Sequence, residues 1–109
     1  MSRLEAFEQM IEDNPNDPLI WYGLASEYLK VEKLDQAAEA LRNVIKLNPQ
    51  YTAAYQMLGS TLVTIGRNEE AVLVWKEGVE VAEKTGAWKA KQHIEGLLST
   101  LSKPNDFCL

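Results

Sequence analysis

The feature that most constrains this 109-residue chain is a 34-residue period. Pro15 and Pro49 stand 34 apart, each is preceded by Asn, and each is followed six residues later by a large aromatic, Trp21 or Tyr55. The same offset relates Leu24 to Leu58, Ala25 to Gly59, Tyr28 to Leu62 and Ala37 to Ala71. It also places Phe7, Leu41 and Trp75 at successive steps. A period of this size means stacked supersecondary units, each too small to bury its own apolar face. Within a unit the apolar spacing is helical. Trp21, Leu24, Ala25, Tyr28 and Leu29 follow an i, i+3, i+4, i+7 pattern, as do Leu34, Ala37, Ala38, Leu41, Val44 and Ile45.

Start and stop chemistry sets the boundaries. Ser2 with Glu5 is a capping-box signature that opens a helix over 3–14. Asp17-Pro18 reads as N-cap and first helical position for 18–31. The Pro49 ring pushes Asn48 out of the α region and ends a helix over 34–48. Thr52 is expected to cap a helix over 52–65, which leaves through Gly66 in a left-handed conformation. Gly86 does the same for 68–85, and a sixth helix covers 87–102. No strand-like alternation competes, so the expected fold is all-α.

These residues resemble the tetratricopeptide repeat (TPR) family, whose helix–turn–helix unit reads W-x2-L-G-x2-Y…A-x3-F…P. Residues 18–51 carry Trp21, Leu24, Ala25, Tyr28, Ala37, Leu41 and Pro49 at those positions. Residues 52–85 carry Tyr55, Leu58, Gly59, Leu62, Ala71 and Trp75, then depart, with Glu83 where proline falls. Residues 3–15 resemble only the second helix of a unit, with Phe7 and Pro15 in register but Arg3 where Ala is usual. The resemblance implies an α-solenoid of antiparallel hairpins: two full repeats, an N-terminal half-repeat helix, a C-terminal capping helix over 87–102 and a flexible tail over 103–109. Small residues at Ala25, Gly59, Ala37 and Ala71 are expected to admit close helix approach, with Trp21, Tyr55, Leu41 and Trp75 filling the space between pairs. On that placement Trp21→Ala costs about 3–5 kcal/mol.

Charge and composition exclude several functions. Eleven basic against sixteen acidic residues give a net charge of −5, which phosphate backbones and anionic membranes repel. No apolar run reaches the roughly 18–20 residues of a membrane span, and Met1-Ser2-Arg3-Leu4-Glu5 leads directly into amphipathic sequence without a signal-peptide core. A cytoplasmic location is the expectation. The lone Cys108 makes no internal disulfide, is not placed for prenylation, and with the single His93 supplies no metal cluster. No phosphate loop, dinucleotide fingerprint, metalloprotease or redox motif occurs. His93 has no nucleophile beside it, so no enzyme, cofactor or metal is expected.

The resemblance implies protein–protein interaction. First helices of TPR units line a concave surface that holds peptide segments of partners. Carried onto this chain, the groove positions are Leu19, Tyr22, Ser26 and Lys30 from one unit, and Ala53, Gln56, Met57, Ser60 and Thr64 from the next. Lys89, Gln92 and His93 on the last helix are candidates to complete the trough. Some members grip an acidic C-terminal tail through a carboxylate clamp. Here Tyr22 and Ser26 sit where its first Lys and Asn are expected, and Gln56 holds a later clamp position, so the clamp is mostly absent. What remains is a mildly polar trough suited to an extended or helical segment with apolar anchors. The alternative is a self-associating module, a homodimer formed through the Leu4, Phe7, Met10, Ile11 stripe or through the tail ending Phe107-Cys108-Leu109.

Overall fold

The computed structural model describes residues 2–102, and among these it contains six helices and no strand. They are α1 (Arg3–Asp13), α2 (Pro18–Lys30), α3 (Leu34–Leu47), α4 (Thr52–Ile65), α5 (Asn68–Thr85) and α6 (Trp88–Ser102). Each packs on the next, and α6 also reaches α4. The short loops make successive helices antiparallel. The stack measures 53 × 30 × 18 Å, with a Cα radius of gyration of 14.8 Å. That exceeds the roughly 13 Å of a compact domain of about 100 residues, as a linear array requires.

Most helix ends follow the chemistry of the sequence. Ser2 Oγ accepts from the Glu5 amide at 3.2 Å while Glu5 Oε1 accepts from the Ser2 amide at 3.3 Å. Asp17 Oδ1 accepts from the Leu19 amide at 3.0 Å. Gly66 (φ 98°) and Gly86 (φ 75°) take the left-handed exits. Helices α1, α2 and α3 stop one residue earlier than the apolar pattern suggested, at the cap residues Asn14, Val31 and Asn48, and α6 begins one residue later than expected, at Trp88.

Two local features differ from expectation. Thr52 does not cap α4: it is the first helical residue, and its hydroxyl donates to the Gln50 carbonyl at 3.5 Å. The turn is held instead by Asn48, whose Oδ1 accepts from the Gln50 amide at 3.1 Å. The second feature is Glu32, which adopts φ 58° between α2 and α3. It stands 34 residues before Gly66, so both units leave their first helix through the same left-handed turn, but only one uses glycine.

The core runs through α2 to α5 and includes Ala25, Leu41, Val44, Ala54, Tyr55, Leu58, Leu62 and Ala71. Trp21 and Tyr55 occupy equivalent places. The Trp21 indole N–H donates to the Pro15 carbonyl and the Tyr55 hydroxyl to the Pro49 carbonyl, each at 2.7 Å across six residues. Gly59 packs directly beneath the Trp75 indole, and Gly23 lies against the Phe7 ring. Phe7, Leu4 and Ile11 are half-buried, Met10 stays 45% exposed, and α1 has no buried residue.

Candidate groove on the face of the first helices

The nine groove positions proposed for the two repeats fall on two helices, α2 and α4. On α2, Leu19 is exposed at 66%, and Tyr22 is half-buried against Tyr51, with ring centroids 5.1 Å apart and planes tilted by 32°. Burial first, and then neighbouring Tyr51, raises the Tyr22 phenol above its ordinary value of 10.0, so the ring remains a neutral hydrogen-bonding group. Ser26 Oγ donates to the Tyr22 carbonyl at 3.2 Å.

Lys30 is not a free cation. Its Nζ lies 3.1 Å from Glu27 Oε2, which Arg3 also approaches at 3.4 Å. Glu27 is 8% exposed and joins α1 to α2. The hydrogen bond from Lys30 holds its carboxyl below the ordinary 4.5, against an opposing push from burial, and the Lys30 and Arg3 charges add to the lowering. The cation at the end of α2 is thus neutralised locally, which keeps the face nearly uncharged.

On α4, positions four apart share a helix face. Gln56, Ser60 and Thr64 therefore line up, with Met57 at their edge. A cavity of about 250 Å³ opens there, lined by Leu29, Leu34, Gln56, Met57, Ser60, Thr61 and Thr64. It gathers Gln56, Met57, Ser60 and Thr64 into one site. Leu19, Tyr22, Ser26 and Lys30 lie outside its lining, farther along α2, and Ala53 is exposed at the start of α4. The Thr64 hydroxyl donates to the Ser60 carbonyl at 3.1 Å and the Thr61 hydroxyl to the Met57 carbonyl at 2.8 Å. The backbone of Gln56 is fixed from behind by the Trp75 indole, which donates to its carbonyl at 3.1 Å. Its side-chain amide makes no hydrogen bond among the described residues, so it is open to a ligand.

Three lining residues were absent from the proposed set. Leu29 lies three residues beyond Ser26 and seven beyond Tyr22, a spacing that could have placed it on this face. Leu34 and Thr61 enter through the way α3 and α4 meet, which helix periodicity does not encode. On α6, Lys89 and Gln92 project from the face opposite the buried Ile94, with exposed His93 on its flank. Lys91 turns toward α5, with its Nζ 3.1 Å from Glu83 and 5.4 Å from the Trp88 ring centre. The tail over 103–109 lies outside the described residues. Among the described residues no helix is long and apolar enough to cross a membrane, and no cluster of His, Cys, Asp or Glu is arranged to hold a metal.

Helix hairpins stacked in register, with equivalent aromatics bonded to equivalent prolines, define an α-helical repeat protein. The family models agree: the tetratricopeptide repeat matches residues 18–51 and again 52–85, together more than half of the chain. The chain belongs to the tetratricopeptide repeat family. It is 32% identical over 108 residues to small glutamine-rich tetratricopeptide repeat-containing protein 2 of Mycosarcoma maydis, covering 94% of this chain but only 30% of that protein. A TPR repeat-containing protein of Pseudomonas aeruginosa is 26% identical, with 92% of this chain and 95% of that protein covered. Among solved structures, a Bordetella parapertussis protein superposes with a TM-score of 0.83 at 24% identity, covering 98% and 93% of the two chains. The TPR2B domain of yeast Sti1, solved as a complex with pHsp70, gives a TM-score of 0.85 at 16% identity, with 93% and 81% covered.

Proposed function

We propose that this protein is a non-catalytic interaction module that binds a segment of a partner protein in a groove across α2 and α4. The observation that carries this reading is the cavity beside Met57, which joins apolar walls from Leu29, Leu34 and Met57 to the open amide of Gln56. At about 250 Å³ it falls below the roughly 300–1,000 Å³ of sites that enclose whole small molecules. It suits one apolar side chain of a longer ligand, with the rest of the segment crossing Ser26, Tyr22 and Leu19. Membership of a family known for protein–protein interaction supports the same reading, as does the Sti1 domain's occurrence in a complex with pHsp70.

A peptide-library screen against the whole chain tests it. Retained peptides should share an apolar anchor, and the Tyr22→Ala, Gln56→Ala pair should weaken them at least about tenfold, the equivalent of roughly 1.4 kcal/mol. Affinity unchanged by that pair, or by Met57→Glu, would move the site elsewhere.

A further inference from the structure

On the opposite side of α4, Tyr55 and Leu58 face away from Gln56 and Ser60 and floor a second cavity of about 240 Å³. Its walls come from Ile45 and Val74, and its rim from Arg42, Lys46 and Glu77. The surface along α3 thus reads Arg42, Ile45, Lys46: an apolar centre between two cations. Exactly one period earlier, α1 carries Glu8, Ile11 and Glu12. The apolar residue is the same and both charges are reversed. Arg42 is paired with Glu70 at 2.7 Å, and Glu8 accepts from the Tyr28 hydroxyl at 3.1 Å. Lys46 and Glu12 make no ion pair among the described residues.

We propose that a second copy of this chain docks on this face, with the α1 patch of each copy on the α3 patch of the other. The geometry closes with a two-fold axis. Helices α1 and α3 run in the same direction, since each is antiparallel to α2. A dyad lying between them and parallel to both brings α1 of one copy over α3 of the second without reversing it. Residues one period apart then meet in register: Glu8 faces Arg42, Ile11 faces Ile45 and Glu12 faces Lys46, twice over. Such a contact is isologous and stops at the dimer. In a chain of net charge −5, whose copies repel overall, this local reversal of sign is what lets two copies meet at a fixed register. The surface is separate from the groove; it shares Ile11 with the α1 stripe considered from the sequence, but pairs α1 with α3 through charges that stripe lacks, and it does not call on the tail.

Analytical ultracentrifugation of the full chain across a concentration series tests the pairing. A dimer is expected at about 0.05 M salt, loosening toward monomer near 0.5 M as screening shortens the reach of the charges. Glu12→Lys and Lys46→Glu should each weaken dimerisation at least about tenfold, because each sets like charges face to face. A chain carrying both substitutions should regain the dimer, since Lys at 12 again meets Glu at 46. Both positions are exposed, so the variants should fold, and their circular dichroism spectra should match that of the wild type. Tyr22→Ala with Gln56→Ala should leave the dimer intact, so groove binding and self-pairing fail separately. A monomer at every concentration in low salt would overturn the proposal. So would a dimer indifferent to both single substitutions, or a double variant no better than the singles.

Discussion

At the residue scale, the two units solve the same packing problem with different pairs, and the differences are measurable. Where the first unit has Leu41 and Ala25, the second has Trp75 and Gly59, so a larger side chain on one helix meets a smaller one on its neighbour. A Cβ on Gly59 would run into the Trp75 indole. Gly59→Ala should therefore destabilise the protein by about 1–3 kcal/mol, even though alanine is the better helix former by roughly 1 kcal/mol. Trp75→Leu alone should cost about 2–4 kcal/mol through the space it empties and the lost bond to Gln56. Together they recreate the pairing of the first unit, and denaturant titration should show a combined cost clearly below the sum. Glu32 offers the reverse experiment. Its left-handed backbone costs roughly 1 kcal/mol for a residue with a Cβ, and it is exposed. Glu32→Gly should raise stability by about 0.5–1 kcal/mol once the added freedom of the unfolded chain is subtracted, while Gly66→Ala should lower it by a similar amount. A loss of stability in Glu32→Gly would mean that the glutamate makes a compensating contact.

At the scale of elements, α1 is docked differently from the helices that follow. Arg3 and Glu27 form an ion pair where the equivalent positions one period on are Ala37 and Thr61, both buried. A charged tie thus replaces a small-residue contact. Because the Glu27 carboxyl is held below its ordinary 4.5, its contribution is present above that value and is lost as pH falls through the lower, folded-state value. Glu27→Gln should therefore be less stable than the wild type at pH 7, and in urea titrations the gap should close only as pH falls through the lowered folded-state value, where the wild-type carboxyl is protonated too. A gap independent of pH would place the effect in shape rather than charge. The same contrast explains what the sequence made legible. Helix identities and ends were readable because they depend on local chemistry: Ser2 with Glu5, Asp17, Gly66 and Gly86 all act within one turn. Thr52 misled because threonine also suits the first turn itself, and Asn48 had already secured the entry. The left-handed turn at Glu32 was readable only by laying it over Gly66. Four of the seven residues lining the groove cavity were named, all from α4. Leu34 and Thr61 enter only through the angle at which α3 meets α4, and pairing across helices leaves no period in the chain.

At the scale of the whole molecule, a linear stack distributes stability by neighbours. Helices α2 to α5 share one core, with Leu41, Leu58 and Leu62 at or below 1% exposure, while α1 has a single packed face and no buried residue. Helix α6 lies between these cases, because Ile94 is fully buried near Gly78. The array should therefore open from its α1 end. Native-state hydrogen exchange should place the amides of α4 near the global unfolding free energy and those of α1 about 2–3 kcal/mol lower, with α6 between them. Arg3→Ala, which removes one tie between α1 and α2, should lower protection in α1 further and leave α4 unchanged. The expected gradient has a functional consequence. The groove cavity is built from α2, α3 and α4, so it sits in the stable centre and keeps its shape while the α1 end opens and closes. The dimer surface instead uses α1 and should order it. Protection of α1 should therefore rise with protein concentration, and in Lys46→Glu that rise should disappear. Equal protection across all six helices, unchanged by concentration, would show that the chain unfolds as one unit and that α1 gains nothing from a second copy.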